Sequence, residues 1–218
     1  MRENCQKTID SAFLECKDVS IPADFKNKLS EDYIVFVPNE LTWHYKFKDI
    51  KQDSLDNIYI NFLKLMSLNY PKYQIVMLPQ LYNQKINDYQ YFIKLKKLSG
   101  LNNIIVFPDT TNSDIQQNII KNSKFVIDGR YHSIIFAINN SVPFVSLSYE
   151  HKMRGLLSDL HMSKYQIDFE NLLLNEEMNK FKPSEILDKL SPISEVKRAN
   201  KEAKEIASQS FSVMLDCI

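Results

Sequence analysis

Five short runs of apolar, β-branched and aromatic residues recur along the chain, at 33 to 37 (YIVFV), 74 to 78 (QIVML), 103 to 107 (NIIVF), 124 to 127 (KFVI) and 143 to 147 (PFVSL). Runs of this length, bounded by polar turns, predict buried strands. Between them the period changes. From Ser54 to Asn69, residues Leu55, Ile58, Tyr59, Phe62, Leu63 and Met66 fall at three-and-four spacing behind an Asp53 or Ser54 cap, and Tyr89 to Leu98 repeats the habit. Ser113-Asp114 opens a shorter helix through Ile120, and Ile134, Ile135, Ala137 and Ile138 form a helical stripe before the fifth run. That spacing gives one apolar face on an α-helix. Strands alternating with helices predict an α/β fold, a doubly wound parallel sheet of Rossmann-like topology with right-handed crossovers. A sixth strand near Tyr165 to Ile167 would complete the sheet, followed by helices over about 169 to 181 and 183 to 190 and a charged amphipathic helix from about Ser194 to Leu215.

The pattern divides the chain into a leading segment (1–30), a Rossmann-like ligand-binding domain (31–192) and a C-terminal amphipathic helix (193–218). In the leading segment Thr8 to Leu14 reads as a helix and Ser20-Ile21-Pro22-Ala23-Asp24 as a turn, with the first strand only at Tyr33. A nucleotide-type cleft has two walls and this sheet supplies one, so the segment is expected to bridge to a partner domain upstream. Lys plus Arg and Asp plus Glu both number 27, and 44% of residues are hydrophobic. The balance predicts a soluble globular domain with no general attraction for nucleic acid. The N-terminal stretch MRENCQKTIDSAFLECKDVS is charged throughout, and no apolar run reaches membrane-spanning length, so a cytoplasmic protein is expected. Cys5, Cys16 and Cys217 are odd in number and lack CxxC spacing, which argues for reduced packing thiols and against a disulfide framework or a zinc site.

Candidate chemistry concentrates after the fourth and fifth runs. The fourth stops at Asp128-Gly129-Arg130-Tyr131-His132-Ser133, and the fifth leads into Ser148-Tyr149-Glu150-His151-Lys152, read as a second charged turn extending to Gly155. Ligands of open α/β sheets gather beyond the carboxyl ends of the strands, which places both turns at a site whose natural ligand is an anion. Arg130 offers a planar fork for a carboxylate or phosphate, and His132, opening a helix, sits where N–H groups and the helix dipole favour negative charge. Each has a structural rival. Arg130 could pair with Asp128 or Asp114, His132 could serve only the helix end, and Lys152 could be a solvated surface lysine. Glu150 reads equally as a base or as the salt-bridge partner of Lys152, and Gln80 as a ligand donor or a polar turn residue. Gly129 and Gly155 are two of only three glycines, and their position at the turns suggests close backbone approach or positive φ. The loop Pro38 to Phe47 carries Trp43, Tyr45 and Phe47, suited to stacking on a sugar or to packing over the sheet.

These turns resemble the C-terminal signature of polysaccharide pyruvyl transferases: Arg130-Tyr131-His132-Ser133, a small-residue helix through Ala137, the strand Val142-Pro143-Phe144-Val145, then Tyr149, Lys152 and Gly155 at Tyr-x-x-Lys-x-x-Gly spacing. The likeness extends upstream to Val76-Met77-Leu78-Pro79-Gln80 and on to Asp88, and to Arg2-Glu3, similar to an Arg-acidic pair that ends the family's N-terminal domain. The resemblance implies a fold like the C-terminal half of a GT-B enzyme. It implies transfer of the pyruvyl group of phosphoenolpyruvate to two hydroxyls of a sugar, forming a ketal on a surface polysaccharide or its lipid-linked precursor. On that reading Arg130 and His132 are catalytic, with Arg130, His132, Ser133, Lys152, Tyr149 and Gln80 binding substrate. No metal or cofactor is expected, the donor being phosphoenolpyruvate, and a lipid-linked acceptor would bring the protein to a membrane surface. Two other classes stay open: the nucleotide-sugar-binding half of a GT-B glycosyltransferase or sugar-nucleotide epimerase, and a truncated non-catalytic remnant. With three glycines in the chain, the GxGxxG dinucleotide fingerprint is absent.

Overall fold

The computed structural model describes residues 8–14, 19–81, 87–175, 182 and 184–216. The six expected strands are present: β1 (Tyr33–Val37), β2 (Gln74–Met77), β3 (Ile104–Val106), β4 (Val126–Asp128), β5 (Phe144–Ser148) and β6 (Gln166–Asp168). They form one parallel sheet in the order β3-β2-β1-β4-β5-β6. Val35 of β1 lies between Val76 of β2 and Val126 of β4, so β1 is central. Every residue of β1 and of β5 is buried. That is why these strands read as continuous apolar runs: a parallel sheet covered by helices has no wet face.

Nine helices follow in chain order among the described residues: α1 (Ala23–Lys26), α2 (Gln52–Asn69), α3 (Asp88–Ser99), α4 (Ser113–Lys121), α5 (Tyr131–Asn139), α6 (His151–Asp159), α7 (Phe169–Leu174), α8 (Glu185–Asp188) and α9 (Ile193–Asp216). Helix α2 packs on α3, and α4 on α5. Right-handed crossovers running outward in opposite directions from the sheet centre put these two pairs on opposite faces. Helix α3 ends at Gly100, whose φ of 69° supplies the left-handed residue that closes a helix without a Cβ penalty. Helix α9 lies along α5 and a 3-10 turn at Ser11–Leu14, burying Val196, Ala199, Ala203, Ala207 and Phe13. Two amide bridges fix this layer: Asn139 Nδ2 donates to Ala12 O, and Asn200 Nδ2 donates to Asn139 O, both at 2.9 Å.

Several expectations need correction. The segment from Thr8 to Leu14 forms a 3-10 turn, and the Pro22 region starts the short helix α1, where the Pro22 carbonyl accepts from Phe25 and Lys26. Helix α7 ends at Leu174, with 176–181 outside the described residues, and α8 is shorter than the span 183 to 190. Most consequential, the second charged turn ends at Glu150, because residues from His151 onward form α6. Met153, Leu156 and Leu157 are its buried stripe, while His151, Lys152 and Gly155 on its exposed face hid the helical period. Arg2, Glu3, Cys5, Cys16 and Cys217 lie outside the described residues. Among the described residues no helix is long and apolar enough to cross a membrane, and no cluster of His, Cys, Asp and Glu could hold a metal ion.

Candidate functional site

The strand order reverses between β1 and β4, and the loops leaving their carboxyl ends meet there. Such a reversal opens a crevice where ligands of doubly wound sheets bind. Gly129 makes the meeting close. Its N–H donates to Val37 O at 2.8 Å, and a Cβ on it would sit 3.1 Å from that same carbonyl. The glycine eases this close approach, and its φ is not positive. The same expectation fails at Gly155, which lies in α6 with open space around it.

Arg130, the residue before α5, is tied down twice. Its backbone N–H donates to Asp128 Oδ1 at 2.6 Å, and its Nη2 is ion-paired with Asp88 Oδ1. The sequence offered Asp128 or Asp114 as side-chain partners; the guanidinium instead takes the first residue of α3, 42 positions upstream. Asp88 is fully buried, and its Oδ2 accepts from Gln80 N at 3.0 Å and Leu81 N at 2.9 Å. The Arg130 side chain keeps 11% exposure. Its Nε is buried without a hydrogen-bond partner among the described residues. Burial drives the Asp128 carboxyl well above the usual carboxylate range, against the pull of Arg130. The fully buried Ser133 hydroxyl faces that carboxyl without reaching full hydrogen-bond geometry.

His132, the second residue of α5, has a different setting. It is exposed and lines a cleft of about 400 Å³ with Gln80, Thr111, Asn112, Ser113, Gln116 and Phe136. Gln80 is fixed there by donating Nε2 to Gln116 Oε1 at 3.0 Å, and Gln116 in turn donates to Pro79 O and Thr111 O. The cleft is therefore walled by the loops after β2 and β3. Lys152, on the exposed face of α6, pairs with Glu150 at 3.2 Å and lies 5.4 Å from the centre of the Tyr131 ring. Tyr149 is buried between the Arg130 region and the loop after β1, with ring contacts to His44 and Phe47, and burial pushes its hydroxyl pKa upward. In that loop Phe47 is wholly buried, as packing requires, whereas Trp43 and Tyr45 are 41% and 73% exposed. The Tyr45 ring stacks on His44 at 4.6 Å.

Three residues of the rim escaped the sequence reading of the site: Asn39, Glu40 and the pairing role of Asp88. Asn39 is fully buried after β1, with its backbone amide and carbonyl both bonded to Tyr59 Oη. Burial raises the Glu40 carboxyl pKa, with Lys94 pulling the other way. No periodicity marks such residues. For Asp88 one signal existed, since Asn87-Asp88 opens a helix with Asn87 accepting from Gln90 N, but a helix opening does not disclose a buried ion pair.

The profile of the polysaccharide pyruvyl transferase family matches residues 1–151, which includes the whole Arg130-to-Ser133 turn. The chain belongs to the polysaccharide pyruvyl transferase family. The search of curated proteins finds no match. Among solved structures, this pyruvyl transferase family member is similar to the C-terminal domain of a group 1 glycosyl transferase (LpcC) from Francisella tularensis, at TM-score 0.50 and 10% identity, over 93% of this chain and 98% of that one. A putative UDP-N-acetylglucosamine 2-epimerase from Listeria monocytogenes aligns at TM-score 0.54 and 9% identity, over 94% of this chain but 50% of that one. The likeness establishes the fold, that of a GT-B-type Rossmann-like domain, and the chain spans about half the length of the epimerase.

Proposed function

We propose that this chain binds phosphoenolpyruvate at the β1–β4 crevice and takes part in transferring its pyruvyl group to two hydroxyls of a sugar on a surface polysaccharide or its lipid-linked precursor, in the cytoplasm. The observation that carries the reading is the family match across a turn that sets Arg130 at the point of strand reversal. In the reaction the methylene carbon of phosphoenolpyruvate takes a proton and becomes a methyl group. Its second carbon bonds two sugar oxygens as the carbon–oxygen bond to phosphate breaks; one hydroxyl proton balances the new methyl group and the other leaves with the inorganic phosphate. Arg130 suits the role of anion donor, with the Tyr149 hydroxyl as a further donor and Lys152 as a mobile charge on α6, whereas the fully buried Ser133 hydroxyl faces Asp128 instead. His132, exposed beside Gln80, suits proton delivery to the methylene carbon or to the departing phosphate. The exposed Trp43 and Tyr45 suit contact with the acceptor glycan, and a partner domain would supply the facing wall.

A thermal-shift titration tests the reading directly. Phosphoenolpyruvate should raise the melting temperature with saturation, and uridine and cytidine nucleotides should not. Stabilisation by nucleotides alone would replace this reading with the nucleotide-sugar one, and no response to either would favour a non-catalytic remnant. In a reaction assay with phosphoenolpyruvate and an acceptor glycan, His132→Ala should lower turnover with little change in phosphoenolpyruvate affinity.

A further inference from the structure

We infer that Asp88 is the positioning residue of this site, a single buried carboxylate that sets Arg130 and the wall of the His132 cleft relative to each other. The inference rests on the phosphoenolpyruvate reading for its functional consequence, although the contacts stand without it. One oxygen of Asp88 holds Nη2 of Arg130, and the other accepts two backbone N–H groups of the loop after β2. That loop carries Gln80, whose side chain lines the cleft beside His132. The carboxylate is thus the shared anchor of the anion donor and of the cleft.

An ordinary acidic residue in a first helical turn serves the helix dipole from the surface. Asp88 does not fit that description. It is fully buried, the capping of α3 is done by Asn87, and one Asp88 oxygen is bonded to the loop before α3 while the other holds Arg130 after β4. With its backbone held by Asp128 and its Nη2 by Asp88, Arg130 has few rotamers left. A long, flexible side chain so fixed has lost most of its freedom before a ligand arrives, and preorganisation of this kind strengthens binding without a new contact. The 11% of the side chain that stays exposed is held in the orientation this ion pair sets.

Two measurements on the full chain test the inference. In ¹H–¹⁵N spectra the Arg130 Nε–H resonance, assigned by its loss in Arg130→Gln, should be sharp and slow to exchange in the parent protein and should broaden or shift in Asp88→Asn. An unchanged resonance in folded Asp88→Asn overturns the inference. For phosphoenolpyruvate binding by calorimetry, Asp88→Asn should raise Kd about tenfold in the parent background and by less than about twofold in Arg130→Gln. Equal losses in both backgrounds would mark Asp88 as structural only and overturn the inference. Should Asp88→Asn not fold, Asp88→Glu keeps the charge on a longer stem, and is expected to move the Nε–H resonance and weaken binding; a Glu variant indistinguishable from the parent overturns the inference. If the parent binds no phosphoenolpyruvate, the functional reading fails while the resonance still decides the role of Asp88.

Discussion

The turns after β4 and after β5 look alike in sequence, each a polar stretch leading from a buried strand into a nine-residue helix, yet the fold treats them oppositely. After β4, Arg130 is drawn inside and matched by a fully buried carboxylate. After β5, Lys152 stays half-exposed beside Glu150, with 51% of its side chain accessible. The difference follows from position in the sheet. The β4 turn sits at the central reversal and is crowded by the loop after β1, while the β5 turn sits one strand nearer the edge. A cation at the centre must find a partner or lose its solvation, and one at the edge keeps its water.

Cutting the central pair on one side should have the largest effect on this contrast. Arg130→Ala leaves Asp88 charged and unpaired in the interior, and should cost about 3–5 kcal/mol in urea-induced unfolding. The double variant Asp88→Asn/Arg130→Gln removes both charges and should recover much of the loss. A double variant as unstable as the single would show that the pair is not what stabilises the centre. The two glycines give a smaller version of the same contrast. Gly129→Ala would place a methyl 3.1 Å from a backbone carbonyl of the central strand, tighter than ordinary contact, for a loss of about 1–2 kcal/mol. Gly155→Ala, in an open helical position, should instead stabilise by about 0.5–1 kcal/mol. Equal signs for the two would undo the distinction between centre and edge.

These residues also show what the sequence could and could not disclose. The strand and helix order was legible because buried parallel strands and amphipathic helices leave periods of their own, as YIVFV and the Leu55-to-Met66 stripe do. Helix α6 was legible in Met153, Leu156 and Leu157 but was masked by the charges on its outer face. The carboxyl ends of the strands, where the candidate residues lie, were legible, since the end of each strand follows from the pattern. Its internal wiring was not. The partner of Arg130 is 42 residues away, and nothing local distinguishes a guanidinium that will be buried from a lysine that will remain wet. Nor does the spacing of Trp43, Tyr45 and Phe47 say that only the last is covered.

Titration sharpens the contrast further. Burial raises the Asp128 carboxyl pKa, so the folded state holds its proton to higher pH than the unfolded chain does. Between the unfolded value of about 3.9 and the raised folded value the native state binds more protons, so this group's contribution to stability falls as pH rises through that window. Asp128→Asn keeps an oxygen for the Arg130 N–H and removes the titration. Its stability relative to the parent should therefore improve steadily from pH 4 upward in urea melts. A difference that is flat with pH, or that shrinks, would mean that Arg130 compensates the buried charge more completely than burial penalises it.

The smallest effect belongs to Lys152, and its smallness is informative. Its ion pair with Glu150 and its approach to the Tyr131 ring are both at the surface, where such contacts are screened and ordering the side chain offsets the attraction. Lys152→Ala should shift stability by less than about 0.5 kcal/mol. If Lys152 contributes a charge to the bound anion, the same variant should weaken phosphoenolpyruvate binding, and more so at low ionic strength, because a screened point charge acts over roughly a Debye length of 10 Å at 0.1 M salt. A stability loss comparable to that of Arg130→Ala would place Lys152 in the same buried network as the central arginine. Loss of binding with stability untouched would make the edge turn a functional counterpart of the central one, reached by a mobile charge where the centre uses a fixed fork.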